Sequence, residues 1–420
     1  MASALTLMID TPQGQIVRTI RAATAVPREG NDGAAIEEAT RSAASRWGLP
    51  DFVFEPAVQA KGAGVVEVGD GIILVGKHAV VLQVKSRNGQ LGDTDRETSW
   101  LTKAISKGLR QGAGTIRQLG RVPMQVTNAR GNALELDGSS VHWLSVVVID
   151  HDDVPDGFTP LLGEAPAPQI VLLRRDWEFL FNHLRSTFAV VEYLARVAGE
   201  VIPLGEEPVR YHQLALADLD AKPSAPAKWS PEGSVLRSAP LLPLEAAGSD
   251  DERAHLLLRI IFEDIAQMRL SGAFDERNRL KALAALDSMP VGHRSELGQV
   301  LFRFMDEMQA TPVPRGSIRS RTRTAVPPRL DAPLLVFMIA NEKTEMTDAL
   351  FRVRLMTRHY EVGVSTGGPN QLSVGVLLTP DPLKNRPWDT TLLMITGELE
   401  IGVEELAGYR AFLDSGLVQN

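Results

Sequence analysis

The segment Asp70–Lys85 decides the fold, and it reads DGIILVGKHAVVLQVK. Two short apolar runs rich in β-branched residues, Ile72–Val75 and Ala79–Leu82, lie on either side of Gly76-Lys77-His78. Runs of this kind around a short connection that contains glycine predict two antiparallel strands joined by a tight turn. The sequence therefore predicts a β-hairpin at this point of the chain.

Three polar residues of this hairpin are expected to meet at one end of it. Because side chains alternate along a strand, Gln83 and Lys85 project to one face and Val84 to the other. Either of two registers of the turn places Asp70 opposite residues 83–85, close enough for one cation to be shared across the strand pair. Carboxylate and amide oxygens suit Mg²⁺ or Mn²⁺, and a neighbouring ammonium can stabilise charge that develops on a phosphate. This chemistry is that of a metal-dependent phosphodiesterase.

The same residues resemble the motif of the PD-(D/E)XK nuclease superfamily, specifically its Mrr-like and RecB-like branches. In that pattern an acid on one strand, here Asp70, is followed by a (D/E/Q)-x-K triplet on the next strand, here Gln83-Val84-Lys85. A glutamate on the preceding helix belongs to the pattern, and Glu37 stands at the matching position. The resemblance implies that Asp70, Gln83, Lys85 and Glu37 are catalytic, with Asp70, Gln83 and Glu37 around Mg²⁺ or Mn²⁺.

Gln83 departs from the commonest form of this motif, which has a glutamate there. The amide removes one negative charge and should weaken cation binding. Two functions therefore stay open: a divalent-metal-dependent endonuclease of defence or repair type, or a catalytically inactive platform of the same fold that binds nucleic acid or protein. Polar side chains on the solvent face of an ordinary amphipathic hairpin would give the same pattern.

Basic residues concentrate just after the hairpin, although the whole chain has a formal net charge of −8. Residues 77–121 contain nine lysines and arginines against three acidic residues. Apolar spacing predicts a helix over 100–119 with a cationic face. This charge pattern predicts a surface that binds a phosphate backbone, since local lysine and arginine drive phosphate binding, although a solvated helix face would show the same pattern. The nuclease resemblance implies DNA as the partner. The residues expected to contact nucleic acid are Arg87, Lys103, Lys107, Arg110 and Gln111.

Glycines at positions 108, 112 and 114 interrupt that helix. Each costs a helix about 1 kcal/mol relative to alanine, so each is expected to mark close packing, a kink or the approach of a ligand to the backbone. Further along, His151-Asp152-Asp153 follows an apolar strand predicted over 141–149. These three side chains could ligate a metal, but a polar loop after a buried strand explains them more simply.

The composition excludes several classes of protein. The chain has 420 residues, 44% of them hydrophobic, which is enough for two or three domains with cores of their own. Since there is no cysteine, disulfides, thiolate metal sites and cysteine nucleophiles are excluded. No apolar run is long enough to cross a bilayer, and the first ten residues lack the features of a secretion signal. We therefore expect a cytoplasmic protein with no membrane partner.

The expected fold class is α/β, with a restriction-endonuclease-like mixed sheet flanked by helices, then a helical module and a smaller C-terminal α/β module. Segments rich in proline separate the parts, at 220–249 and 311–329. The expected parts are a nuclease-like domain over 1–155, an α/β-to-helical extension over 165–220, a helical module over 250–310 and a C-terminal α/β module over 333–420. The C-terminal modules and a second copy of the chain are candidates for protein contacts.

Overall fold

The structure is a computed structural model that describes residues 4–11, 14–26, 32–55, 57–61, 64–87, 91–220, 242–246, 248, 251–270, 272, 274–310, 317–326, 332–366, 371–381, 388–414 and 418–419. Contacts divide the chain into two compact units. The first contains the described residues of 1–220, 242–246 and 270–287, and the second contains those of 247–269 and 288–420. Both units combine helices with mixed sheets, so the expected α/β class is confirmed.

The elements up to residue 220 all belong to the first unit. In chain order they are β1 (Leu5–Thr11), β2 (Gly14–Ile20), α1 (Asp32–Trp47), β3 (Val53–Phe54), β4 (Ala57–Lys61), β5 (Gly64–Val68), β6 (Gly71–Val75), β7 (His78–Ser86), α2 (Thr94–Leu119), β8 (Met124–Thr127), β9 (Ala133–Leu136), β10 (His142–Asp150), β11 (Gln169–Leu173), α3 (Arg174–Leu184), α4 (Thr187–Val197) and α5 (Glu207–Asp220).

The later elements are divided between the units. They are α6 (Glu252–Gln267), α7 (Glu276–Asp287), α8 (Val291–Ala310), β12 (Ile318–Ala325), β13 (Leu334–Ala340), α9 (Glu345–Thr366), β14 (Leu372–Thr379), β15 (Asp389–Thr396), α10 (Val403–Asp414) and β16 (Val418–Gln419). Helix α7 belongs to the first unit and the rest to the second.

The first unit is built around a five-stranded sheet with the strand order β11-β10-β7-β6-β3. Strand β6 runs antiparallel to both of its neighbours, β3 and β7, and its pairing with β7 confirms the predicted hairpin. Strands β7, β10 and β11 are parallel, and α2 makes the crossover from β7 to β10. The apolar side of α2 packs on one face of this sheet, where it contacts the side chains of β10 and β11.

A two-residue connection joins β6 to β7, because Val75 pairs directly with His78. Its first residue, Gly76, has a φ angle of +59°, which glycine adopts readily and residues with a Cβ atom rarely adopt. A Cβ atom there would also lie 3.1 Å from the ring of Phe188. The glycine therefore fixes the register of the hairpin, and with it the position of Asp70 relative to β7.

The predicted boundary between 1–155 and 165–220 is not a boundary between units, because β11 pairs in parallel with β10 and extends the same sheet. The predicted helical module 250–310 is likewise divided. Asp287 at the end of α7 accepts hydrogen bonds from Ser186 Oγ (3.1 Å) and Phe188 N (2.8 Å) at the start of α4, which ties α7 to the first unit. Helices α6 and α8 pack on each other in the second unit.

The second unit has a five-stranded mixed sheet with the order β15-β14-β13-β12-β16. Helix α9 connects the parallel strands β13 and β14 and buries Phe351 and Leu355 against them. The elements of the expected C-terminal α/β module over 333–420, from β13 to β16, all belong to this unit. None of the described helices has the length and apolar character needed to cross a bilayer.

Candidate active site

Asp70 occupies a bend directly before β6. Its carboxylate accepts a hydrogen bond from the backbone of β7. The Asp70 N–H donates to the carbonyl of Leu82 (3.0 Å), which continues the hairpin ladder by one residue. Two residues further along β7, the Val84 amide donates to Asp70 Oδ2 (2.6 Å). The backbone of β7 therefore holds this carboxylate against residues 83–85, as the sequence predicts.

Lys85 and Gln83 lie beside that carboxylate. Lys85 Nζ is 3.4 Å from Asp70 Oδ2 and 3.4 Å from Gln83 Oε1, and it also donates to the Val84 carbonyl (2.8 Å). Asp70 Oδ1 makes no hydrogen bond to the described part of the chain. The side chains of Lys85 and Asp70 are 15% and 21% exposed, whereas Gln83 is 2% exposed. Three of the four expected site residues therefore lie together, and Asp70 Oδ1 can still accept a ligand.

Two glycines of α2 make room for this cluster beneath the helix. A Cβ atom on Gly112 would lie 3.8 Å from Gln83 Cγ and only 2.3 Å from Ser145 Oγ. On Gly108 it would lie 3.7 Å from Lys85 Cε and 2.9 Å from a methyl of Val147. Both glycines thus serve close packing of α2 on β7 and β10, which is one of the roles expected for them.

Glu37 is the expected site residue that the structure does not join to the others. No hydrogen bond or ion pair that Asp70, Gln83 or Lys85 makes within the described chain goes to Glu37. It lies one turn before Arg41 on α1, and residues four apart share a helix face. Arg41 does contact the site, since its Nη1 donates to the Asp70 carbonyl (2.7 Å). Arg41 is therefore a site residue that the sequence pattern missed, although its spacing from Glu37 was a signal.

Arg87, expected to contact nucleic acid, is instead part of a second polar cluster. Its Nε and Nη2 donate to the two oxygens of Glu97 at 2.8 and 3.0 Å, and its side chain is 10% exposed. His151 Nε2 lies 2.9 Å from Glu97 Oε2, and its ring is fully buried. Arg87 and His151 are thus internal, and neither nucleic-acid contact by Arg87 nor metal ligation by the His151 loop is supported.

Glu97 is the centre of this second cluster. The Gly92 amide also donates to it, at 2.6 Å. Hydrogen bonds from the Arg87 guanidinium, followed by the one from Gly92, hold the pKa of Glu97 well below its ordinary value. The Asp153 amide donates to His151 Nδ1 (3.1 Å), so the proton of a neutral ring lies on Nε2 and is donated to Glu97. Glu97 falls on the apolar side of α2, and that position was a sequence signal of its burial.

The remaining residues expected to contact nucleic acid lie on the outer surface of α2. Lys103, Lys107, Arg110 and Gln111 are all exposed. The opposite side of the helix, which includes Gly108 and Gly112, covers Gln83 and Lys85. The structure therefore does not bring these four residues to the Asp70 cluster.

The donor atoms at the site suit a cation that takes few ligands from the protein. Asp70 offers a carboxylate oxygen and Gln83 an amide oxygen, both hard ligands of the kind that Mg²⁺ shares with waters and a phosphate. Among the described residues there is no group of three or more histidine or acidic side chains placed to hold a metal ion. Comparisons with known proteins give no further guide, since no family model, curated protein or solved structure matches the chain.

Proposed function

We propose that the Asp70 cluster is the active site of a divalent-metal-dependent nuclease that hydrolyses the backbone of DNA. The observation that carries this proposal is that Lys85 Nζ lies 3.4 Å from both Asp70 Oδ2 and Gln83 Oε1 at one end of the hairpin. The order of elements supports it, because a helix, an acid before one strand, the triplet on the next strand and a basic helix follow one another as the sequence resemblance implies.

Each residue has a role that follows from its contacts. Asp70, with Oδ1 free of hydrogen bonds to the described chain, would hold Mg²⁺ or Mn²⁺ together with the Gln83 amide oxygen. A bound cation would supply charge neutralisation on the scissile phosphate and a more acidic water. Lys85, whose ammonium is partly exposed, would place its charge beside the phosphate as negative charge develops there. Arg41 positions Asp70 through the backbone carbonyl of that residue.

A cleavage assay tests this proposal. The full chain is incubated with supercoiled plasmid, linear duplex and single-stranded DNA in the presence of Mg²⁺ or Mn²⁺. We expect cleavage that needs the metal and that falls at least about 100-fold in Asp70→Ala and in Lys85→Ala. Lys77→Ala and Asp95→Ala remove exposed charges elsewhere and should leave the rate unchanged. Cleavage that survives both Asp70→Ala and Lys85→Ala would remove this site from the reaction.

A second candidate function is a platform of the same fold that binds nucleic acid or protein without cleaving it. One observation favours it: Gln83 is 2% exposed and uncharged, and the ammonium of Lys85 already lies beside the Asp70 carboxylate. Titration calorimetry with Mn²⁺ separates the two candidates. A nuclease gives binding heat that Asp70→Ala abolishes, whereas a platform gives no heat that depends on Asp70.

A further inference from the structure

The outer face of α2 carries a line of basic residues that the proposed active site does not use. We call it the α2 stripe, and it consists of Arg96, Lys103, Lys107, Arg110 and Arg117. At about 100° of rotation per residue, these five positions fall within about 80° of one another around the helix. All five are exposed, so they form a single continuous row on the surface.

The stripe is not neutralised by the protein around it. None of its five side chains makes an ion pair within the described part of the chain. From Thr98 to Arg121 the sequence contains no acidic residue, and Glu97 faces the interior. A row of unpaired cations on a chain with a net charge of −8 is therefore a local feature. Such a row attracts a polyanion and gains free energy from the counterions that the polyanion releases.

The dimensions and composition of the stripe favour a duplex over a single strand. Arg96 and Arg117 are 21 positions apart, which corresponds to about 32 Å along the helix, close to one turn of a nucleic-acid duplex. Single strands are held by stacking of their bases on aromatic side chains. The only aromatic residue of α2, Trp100, packs against the core instead.

Gly114 lies on the same side of α2 as the stripe, between Arg110 and Arg117. A Cβ atom there would meet nothing within 4 Å, unlike at Gly108 and Gly112. Close packing therefore does not explain this glycine, although it costs the helix about 1 kcal/mol relative to alanine. An open backbone at this point lets a bulky ligand approach the helix between the basic side chains.

We propose that the α2 stripe binds the phosphate backbone of a nucleic-acid duplex, without reading its sequence, at a surface separate from the Asp70 cluster. Five phosphate contacts predict that the logarithm of the association constant falls with the logarithm of salt concentration with a slope of about −4.5. Between about 50 and about 200 mM salt this slope corresponds to a loss of about 500-fold in affinity. The proposal does not depend on the proposed catalysis.

Fluorescence anisotropy tests the proposal with DNA duplex, RNA duplex and single strands of random sequence, in EDTA so that no cleavage occurs. Lys103→Glu/Lys107→Glu/Arg110→Glu should abolish most of the binding and should leave a salt-dependence slope no steeper than about −2. The matched control Arg46→Glu/Lys281→Glu/Arg303→Glu makes the same charge change at exposed residues outside the stripe. Equal weakening by the two triple variants, tighter binding of single strands, or no duplex binding by the unmodified chain would each overturn the proposal.

A second pair of variants tests the stripe without removing any of its side chains. Gly114→Glu places a negative charge between Arg110 and Arg117 and should lower duplex affinity about tenfold or more, while Gly114→Gln changes it little. Both replace glycine with a better helix former, so circular dichroism should show an intact fold. Asp70→Ala should bind duplex like the unmodified chain, so loss of cleavage and loss of binding are distinguished. Equal affinities of Gly114→Glu and Gly114→Gln would contradict the proposed contact.

Discussion

Two polar clusters lie near the carboxyl end of β7, and they differ in how completely their carboxylates are satisfied. At Asp70 one oxygen is held by Val84 N and Lys85 Nζ, and the other makes no hydrogen bond to the described chain. At Glu97 the oxygens accept from a guanidinium, a backbone amide and a histidine at 2.6–3.0 Å. The side chain of Asp70 is 21% exposed, and that of Glu97 is 4% exposed.

This difference separates a site that can bind a ligand from one that stabilises the fold. A buried carboxylate whose oxygens are all hydrogen-bonded has no capacity left for a substrate, and removing a partner leaves an uncompensated charge. A partly exposed carboxylate with a free oxygen can accept a cation and can return to water when a partner is lost. The predictions below test this assignment and the packing of α2 over the Asp70 cluster.

The largest expected effect is on the rate of DNA cleavage. Lys85→Met should lower this rate about 100-fold to 1000-fold, because the negative charge that develops on the phosphate loses the ammonium group beside it. The same variant should leave the urea midpoint of unfolding unchanged. Arg87→Met should leave the cleavage rate per folded molecule unchanged and should lower the urea midpoint of unfolding. The reason is that Glu97 would remain buried without the Arg87 guanidinium that pairs with it. Cleavage rates per folded molecule and urea titrations of both variants check this, and an exchange of the two outcomes would reverse the assignment of the clusters.

The next effect concerns packing between α2 and the sheet. Gly112→Ala should destabilise the protein by about 1–3 kcal/mol, because its Cβ atom would lie 2.3 Å from Ser145 Oγ. Gly114→Ala on the same helix should instead stabilise it by up to about 1 kcal/mol, since that Cβ atom meets nothing. Urea titrations measure both. Adding Ser145→Gly to Gly112→Ala should recover part of the loss, and no recovery would show that the clash is not the cause.

A smaller effect is expected on metal affinity. Gln83→Glu would add a carboxylate beside Asp70 and should raise the affinity for Mn²⁺ about tenfold, because cation affinity rises with the charge of the ligand set. Calorimetry with Mn²⁺ measures this, and Gln111→Glu, an exposed substitution, is the control. An affinity that Gln83→Glu leaves unchanged would show that residue 83 does not face the cation.

The smallest effect is on the pH dependence of stability. Because the folded-state pKa of Glu97 is depressed, its contribution is complete above its ordinary value of 4.5 and is lost as the pH falls below it. Burial lowers the pKa of His183 from 6.5 to about 4. The unfolded chain therefore binds a proton more readily at this residue, and the free energy of unfolding falls as the pH is lowered from 6.5 to about 4. Glu97→Gln should flatten only the part of the urea-midpoint profile below 4.5. Flattening between 6.5 and 4 instead would contradict this assignment.

Much of the local structure could be predicted from the sequence. The helix predicted over 100–119 begins earlier, at Thr94, because the Asp93 side chain accepts from the Arg96 amide and caps it. The strand predicted over 141–149 is β10, displaced by one residue. The place of α7 could not be predicted, because it depends on Asp287 reaching α4 across about a hundred residues of chain, and no local pattern records such a contact.

The sequence by itself determined the hairpin and the meeting of Asp70, Gln83 and Lys85, since side-chain alternation is a local property of the backbone and either register of the turn brings these residues together. Only the tertiary structure decided which charges face solvent and which are internal. Arg87 donates to Glu97 of α2, whereas Lys103 on the same helix remains exposed. Arg87 and Lys103 belong to the same basic segment of the sequence. The physical reason is that burial of a charge depends on partners brought together by packing, and packing joins residues that are distant in the chain.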